Sequence, residues 1–158
     1  MHSKGHLGLA LLVCSLIALP FGFGNDYYVL IIVLFTAGLS FIPDIDFNFE
    51  IKHRGFTHNI LFGIICGAGF GALFGYVSGW IWGIVGFFAG FGGVMLHLLG
   101  DVMTHMAFAP FYPFKKDKIA FRKFYSGNEK VNNGFFILGV IIFFLYIFIH
   151  SGAFANFI

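Results

Sequence analysis

The apolar positions of this chain neither alternate nor recur as a stripe; they run on. Five stretches, 7–23, 27–42, 60–79, 80–108 and 133–157, are almost unbroken hydrophobic sequence. A helix needs about 20 such residues to cross a bilayer. The pattern predicts an all-α, polytopic membrane helical bundle of about five transmembrane helices, forming a single domain over residues 1–158. The first two stretches are short and separated by Gly22-Phe23-Gly24-Asn25-Asp26, so they read as a helical hairpin. The second fits a bilayer with little tilt or with local thinning. The third and fourth carry Gly67, Gly71, Gly75, Gly79, Gly83, Gly86 and Gly90 at spacings that let helix backbones approach closely in lipid. The first stretch, with Lys4 before it, partly fits a secretory signal, and we read it as an uncleaved helix. A lipoprotein site at Cys14 does not fit, because the apolar run before it is too short and Val13 precedes it.

Composition sharpens this picture. The chain is 59% apolar, 21% aromatic and only 10% charged, with a mean hydropathy of +0.90, whereas soluble domains carry roughly 25% charged residues. A cytosolic globule, a disordered chain and a secreted disulfide scaffold are thereby excluded. Cys14 and Cys66 lie inside apolar runs without CxxC spacing and read as small buried hydrophobes.

Charge adds orientation. All 9 basic residues, from Lys4 through Lys52 and Arg54 to Lys115, Lys116, Lys118, Arg122, Lys123 and Lys130, fall on the side of the bundle that receives residues 1–6, 43–59 and 109–132. The positive-inside rule makes that side cytoplasmic, with the N-terminus inside and the C-terminus outside. The basic cytoplasmic loop 109–132, interleaved with Phe114, Phe121, Phe124 and Tyr125, is suited to anionic lipid headgroups. It could also gather an anionic substrate; because the run abuts a membrane edge, no nucleic acid is expected as a partner.

The remaining polar residues gather at the same side. His2 and His6 open the first helix, Asp44 and Asp46 close the second in Pro43-Asp44-Ile45-Asp46, and His53 and His58 flank the third in His53-Arg54-Gly55-Phe56-Thr57-His58. His97, Asp101 and His105 recur every four residues in the fourth, while His150 stands apart near the far end of the fifth. Ionisable groups are costly in a membrane, and those retained pair, bind ions or do chemistry. Spacing of i, i+4 keeps His97, Asp101 and His105 on one helical face, but His97 and His105 stand about 12 Å apart and cannot share an ion. His97 with Asp101 could share an ion or bridge two, and Asp44 and Asp46 could diverge to different ions. Imidazole with carboxylate suits Zn, with Mn or Fe as alternatives, rather than Ca. A bland reading stands beside each residue: His2 or Asp46 as a helix-end cap, Asp101 as a buried partner of Arg54, His150 as an interfacial residue.

Gly5-His6-Leu7, Pro43-Asp44-Ile45-Asp46, the His53-to-His58 element and His97-x-x-x-Asp101-x-x-Thr104 followed by Pro113 resemble the YdjM-like family of membrane-bound metal-dependent hydrolases. The resemblance covers roughly residues 5–129. It implies His6, Asp44, Asp46, His53, His58, His97 and Asp101 as metal-site positions, holding one to three divalent transition-metal ions. Phe47 stands where relatives often carry His, Asn59 replaces a common Ser, and His105 stands where Pro can occur; His2 or His105 could substitute for a missing ligand. Gly127-Asn128-Glu129 resembles a further acidic element, at imperfect spacing. More remotely, the order of ligands is similar to zinc-dependent phospholipases C and single-strand-specific nucleases, which is a fold-level analogy.

Two functions are then open. One is a hydrolase at the cytoplasmic face of the cell membrane, acting on a phosphoester of a lipid or lipid-linked substrate through a metal-activated water. Asp46 and His105 would handle protons there, and Arg54 would steady the developing negative charge. The other is a metal-binding membrane protein without turnover, either a stress-linked interaction module or a transporter. A transporter should carry polar groups near the midplane and on both sides, and the far halves of these spans carry only Asp26 and His150.

Overall fold

The computed structural model of the chain describes residues 1–22, 27–49 and 55–151, the side chains of 46–49 excepted. Five α-helices and one 3₁₀ segment follow in order: α1 (Ser3–Ala18), α2 (Tyr28–Leu39), the 3₁₀ segment (Ile42–Phe49), α3 (Ile60–Ser78), α4 (Trp80–Val102) and α5 (Glu129–His150). The described residues contain no strand, only isolated bridges between Thr104 and Phe124 and between Phe108 and Ile119. The all-helical membrane architecture read from the sequence is therefore the one found.

Boundaries moved for identifiable reasons. α1 starts at Ser3, because the carbonyl of His2 already accepts from the amides of Gly5 (2.8 Å) and His6 (3.1 Å). Hydropathy marks where a helix meets hydrocarbon, not where its hydrogen bonds begin. It stops at Ala18, just ahead of Pro20, which has no amide to donate. α4 ends at Val102 and not near 108. Segment 119–124 supplies the partners that its last turn lacks: Phe121 N donates to Val102 O (2.6 Å) and Lys123 N to Met103 O (2.8 Å). α5 starts at Glu129 rather than near 133, capped by Asn128, whose side chain accepts from Val131 N at 3.2 Å. α3 begins where expected, with Asn59 accepting from Phe62 N at 2.8 Å.

Among the described residues, four windows are long and apolar enough to cross a membrane: Tyr28–Ile45, Ile60–Ser78, Trp80–Val102 and Glu129–His150. α1, with 16 residues, is apolar but only about 24 Å long, short of the roughly 30 Å hydrocarbon core. Large apolar side chains such as Leu73, Val77, Ile137 and Phe144 face outward, as they must where lipid is the solvent.

The helices form two close pairs, α3 with α4 and α1 with α5, and α2 lies across α4 and α1. In the first pair a Cβ on Gly86 would meet Phe70 O at 2.5 Å and one on Gly90 would meet Cys66 O at 2.9 Å, so the glycine spacing does permit backbone contact. In the second pair a Cβ on Gly139 would stand 2.2 Å from Gly8 O. The expected α1–α2 hairpin is thus a secondary contact; α1 packs chiefly on the distant α5, and residues 23–26 of the turn lie outside the described residues. Cys14 and Cys66 are free thiols, as read, although both are only partly buried.

Candidate metal centre

At one end of the bundle α1 begins, α2 passes into the 3₁₀ segment, α3 begins and α4 ends. There the structure brings together His6, Asp44, His58, His97 and Asp101. His97 and Asp101 project from one face of α4, one helical turn apart. His58 stands two residues ahead of α3, where the Asn59 cap fixes the chain. Asp44 sits on the 3₁₀ segment behind Pro43, and His6 on the second turn of α1. A Cβ on Gly100 would come within 2.8 Å of His6 Nδ1, so only glycine leaves room for that ring.

The donor atoms converge. His97 Nε2 and His58 Nε2 are 3.2 Å apart. Asp101 Oδ2 lies 3.5 Å from His58 Nε2 and 3.7 Å from His97 Nε2. Asp44 Oδ1 lies 3.5 Å from His97 Nε2 and 3.7 Å from His58 Nε2. Ligands about 2.0–2.1 Å from a tetrahedral zinc stand about 3.3 Å from one another, so these separations fit a divalent ion after small shifts. Two three-residue groups meet the spacing for a metal ion, His58–His97–Asp101 and His6–Asp44–His97.

The opposite ring nitrogens are held. His97 Nδ1 donates to the Ser40 carbonyl at 2.8 Å, which can only accept, so the neutral ring turns an Nε2 lone pair into the cluster. His58 Nδ1 lies 2.9 Å from Thr57 Oγ1. A hydroxyl both donates and accepts, so Thr57 accommodates either tautomer of His58. His6 stacks on His97 with centroids 3.8 Å apart. Its Nδ1 and Nε2 are buried and make no hydrogen bond, although Nε2 lies 3.4 Å from Asp101 Oδ1. A fully buried neutral imidazole left so has both an N–H without an acceptor and a lone pair without a donor, and a cation between it and the carboxylates would satisfy the lone pair. The Met1 α-ammonium group donates to the same Asp101 Oδ1 at 2.5 Å. The Met1 ammonium and the rings of His6, His58 and His97 thus surround Asp101, which offsets the cost of burying its carboxylate beside Asp44.

The other sequence candidates stand elsewhere. His105 is beyond the end of α4, so its helical register with His97 and Asp101 does not exist; its ring stacks on Tyr125 at 4.2 Å. His2 is exposed at the start of α1, its amide bonded to Asn132 Oδ1 at 3.1 Å. Glu129 is exposed in the first turn of α5. His150 Nε2 donates to the Leu19 carbonyl at 2.9 Å, far from the cluster. His53, Arg54 and the Asp46 side chain lie outside the described residues.

Sequence reasoning missed Ser40, Thr57 and Gly100. Thr57 was within reach, being adjacent to His58 in the motif; Ser40 acts through its backbone, for which no side-chain signal exists.

Comparison with curated proteins and with solved structures finds no match. A family comparison does: the description YdjM inner membrane protein matches residues 1–157. With a buried His/Asp cluster set into apolar helices, the chain belongs to the YdjM inner membrane protein family.

Proposed function

We propose that this protein is a metal-dependent hydrolase of the cell membrane, acting at the cytoplasmic face on a phosphoester of a lipid or lipid-linked substrate. The observation that carries the reading is the pair of Nε2 atoms of His58 and His97, 3.2 Å apart, with Asp44 Oδ1 and Asp101 Oδ2 each 3.5–3.7 Å from both of them and the far nitrogen of each imidazole held. A divalent transition ion, zinc ahead of manganese or iron, would be held by His58, His97 and Asp101, with His6 and Asp44 forming the neighbouring group around the shared His97. When bound, such an ion polarises a phosphoryl oxygen and lowers the pKa of water in its open position.

The chain's own residues do the rest. Ser40 and Thr57 orient the two imidazoles, and Asp101 balances the charge gathered around it. Arg54 and Asp46 are assigned to charge stabilisation and proton handling, from their place in the sequence between Asp44 and His58. His105 is left out, because its ring is engaged by Tyr125. Cytoplasmic placement is supported by Lys4, Lys130 and the exposed Lys115, Lys116, Lys118, Arg122 and Lys123, which lie on the segments adjoining the cluster end of the bundle.

The test is metal content and turnover on one preparation. Wild-type protein purified in detergent should hold at least one transition-metal ion per chain, and Asp101→Asn should weaken its retention by about 10–100-fold. Metal-loaded protein with mixed phospholipids should release headgroup or phosphate. Full occupancy in Asp101→Asn removes the site; metal held without turnover on any phospholipid leaves a binding protein instead of an enzyme.

A further inference from the structure

The five clustered residues are not equally enclosed. His6, His58 and His97 have fully buried side chains and Asp101 is 1% exposed, whereas Asp44 is 17% exposed. Asp44 also lines a cleft of about 600 Å³ between the start of α1 and the end of α2, together with Lys4, Leu7, Ala37, Gly38 and Phe41. Among the described residues, Asp44 is where the cluster meets the outside.

The cleft is graded in polarity along the helix axes. Lys4 and Asp44 stand at its rim, where α1 begins and the 3₁₀ segment follows α2. The exposed Lys4 side chain lines that rim while its ammonium turns toward α5, donating to Asn133 Oδ1 at 3.2 Å and lying 5.9 Å from the centre of the Phe136 ring; its flexible four-carbon stem lets the ammonium swing to an anion in the cleft. Leu7, Ala37 and Gly38 lie deeper, about a turn or more into the apolar helices, and Phe41 stands half-exposed on the wall. A small water-soluble anion needs no apolar floor, and the cleft is bounded by two apolar helices, α1 and α2.

We propose that this cleft binds one membrane phospholipid with an anionic headgroup, its phosphate between Lys4 and Asp44 and an acyl chain along Leu7, Ala37 and Gly38. The assignment deepens the hydrolase reading and rests on it for the phosphate's approach to Asp44. Lys4 and a cation in the cluster supply the charge complementarity, and the rim-to-floor gradient matches that of the lipid.

Gly38 gives a clean way to block the cleft. A Cβ there would have no atom within 4 Å, and the same holds for Gly69 on α3, which does not line it. Gly38→Phe and Gly69→Phe would be placed in nanodiscs of zwitterionic lipid containing phosphatidylglycerol with a photoreactive acyl chain. Labelling of α1 and α2 peptides should fall about tenfold in Gly38→Phe, a penalty of modest size in free energy, and stay at the wild-type level in Gly69→Phe. Bound metal should be unchanged in both variants. Equal labelling in Gly38→Phe, or label confined to other helices, overturns the cleft. So does equal labelling by a neutral photoreactive diacylglycerol. Labelling that follows the expected pattern without any headgroup release supports the cleft and removes the hydrolase. Headgroup release that persists in Gly38→Phe with undiminished labelling does the reverse.

Discussion

The two helix pairs solve the same packing problem differently. α3 and α4 are neighbours in sequence, joined at Gly79, and meet along a line of glycines faced by Phe70, Phe87 and Phe91. α1 and α5 are more than a hundred residues apart, and their backbones come closest where Gly139 meets the Gly8 carbonyl. Polar clasps fasten that second pair at both ends: His2 N to Asn132 and Lys4 to Asn133 at one, His150 to Leu19 O at the other. In lipid, where burying apolar surface gives no net drive, a local hairpin needs only close packing, whereas a distant pair gains register from directional bonds. The cluster is the junction of the two pairs, taking His97 and Asp101 from α4 and His6 from α1.

The largest effect should come from breaking the closest backbone contact. Gly139→Ala places a carbon 2.2 Å from the Gly8 carbonyl oxygen, a backbone atom that cannot swing aside. Overpacking of this kind costs about 3 kcal/mol, more than the roughly 1 kcal/mol that alanine gains in a helix. Gly75→Ala, whose Cβ would sit 3.4 Å from Gly83 Cα, should be neutral or slightly stabilising. Thermal unfolding in detergent reads both. A Gly139→Ala protein as stable as wild type would mean that α1 and α5 do not pack as described.

This contrast also marks what the sequence could reveal. Gly67, Gly71, Gly83 and Gly90 announce α3–α4 packing because their spacing is local and repeated. Gly5 and Gly8 on α1 and Gly139 on α5 lie in distant segments, with nothing in either to point to the other. The cluster was legible in the same uneven way. Gly-His-Leu, Pro-Asp-Ile-Asp, the Thr57-His58 element and His97-x-x-x-Asp101 carry chemistry in residue type and spacing, so His6, Asp44, His58, His97 and Asp101 could be named. His105 was misplaced on the α4 face because the end of α4 is fixed by amides of Phe121 and Lys123, a tertiary partner that local periodicity does not contain. The Asn128 cap of α5 was visible in principle, but apolar content outweighed it in setting the boundary.

A metal ion at the junction should tie the pairs together, which gives a second and slightly smaller effect. Ligand that binds only the folded state stabilises by about 2.7 kcal/mol at one hundred times its Kd. Added zinc should therefore raise the unfolding temperature of wild-type protein, and at the same zinc concentration Asp101→Asn should cut the rise to about half or less. Because Asp101 meets groups from both pairs, that variant should also narrow the difference between Gly139→Ala and Gly75→Ala in the presence of zinc. A zinc shift that survives intact in Asp101→Asn would place the ion elsewhere.

The smallest effect belongs to the far clasp, and it separates fastening from chemistry. His150 Nε2 donates to the Leu19 carbonyl at 2.9 Å and its ring packs edge-on against Tyr146. Leu19 follows the last residue of α1, where carbonyls lack helical partners, so His150 satisfies one of them across the pair. Replacing it with Phe keeps the ring and removes the donor. The cost should be about 1 kcal/mol, the net value of one hydrogen bond, and it should appear in unfolding temperature alone. Metal content and phospholipid labelling should match wild type, because every cluster residue stands at the other end of α1 and α4. If His150→Phe lowers metal retention as Asp101→Asn does, the two ends of the bundle are coupled through α1, and the division between a packing pair and a clasped pair would have to give way to one cooperative unit.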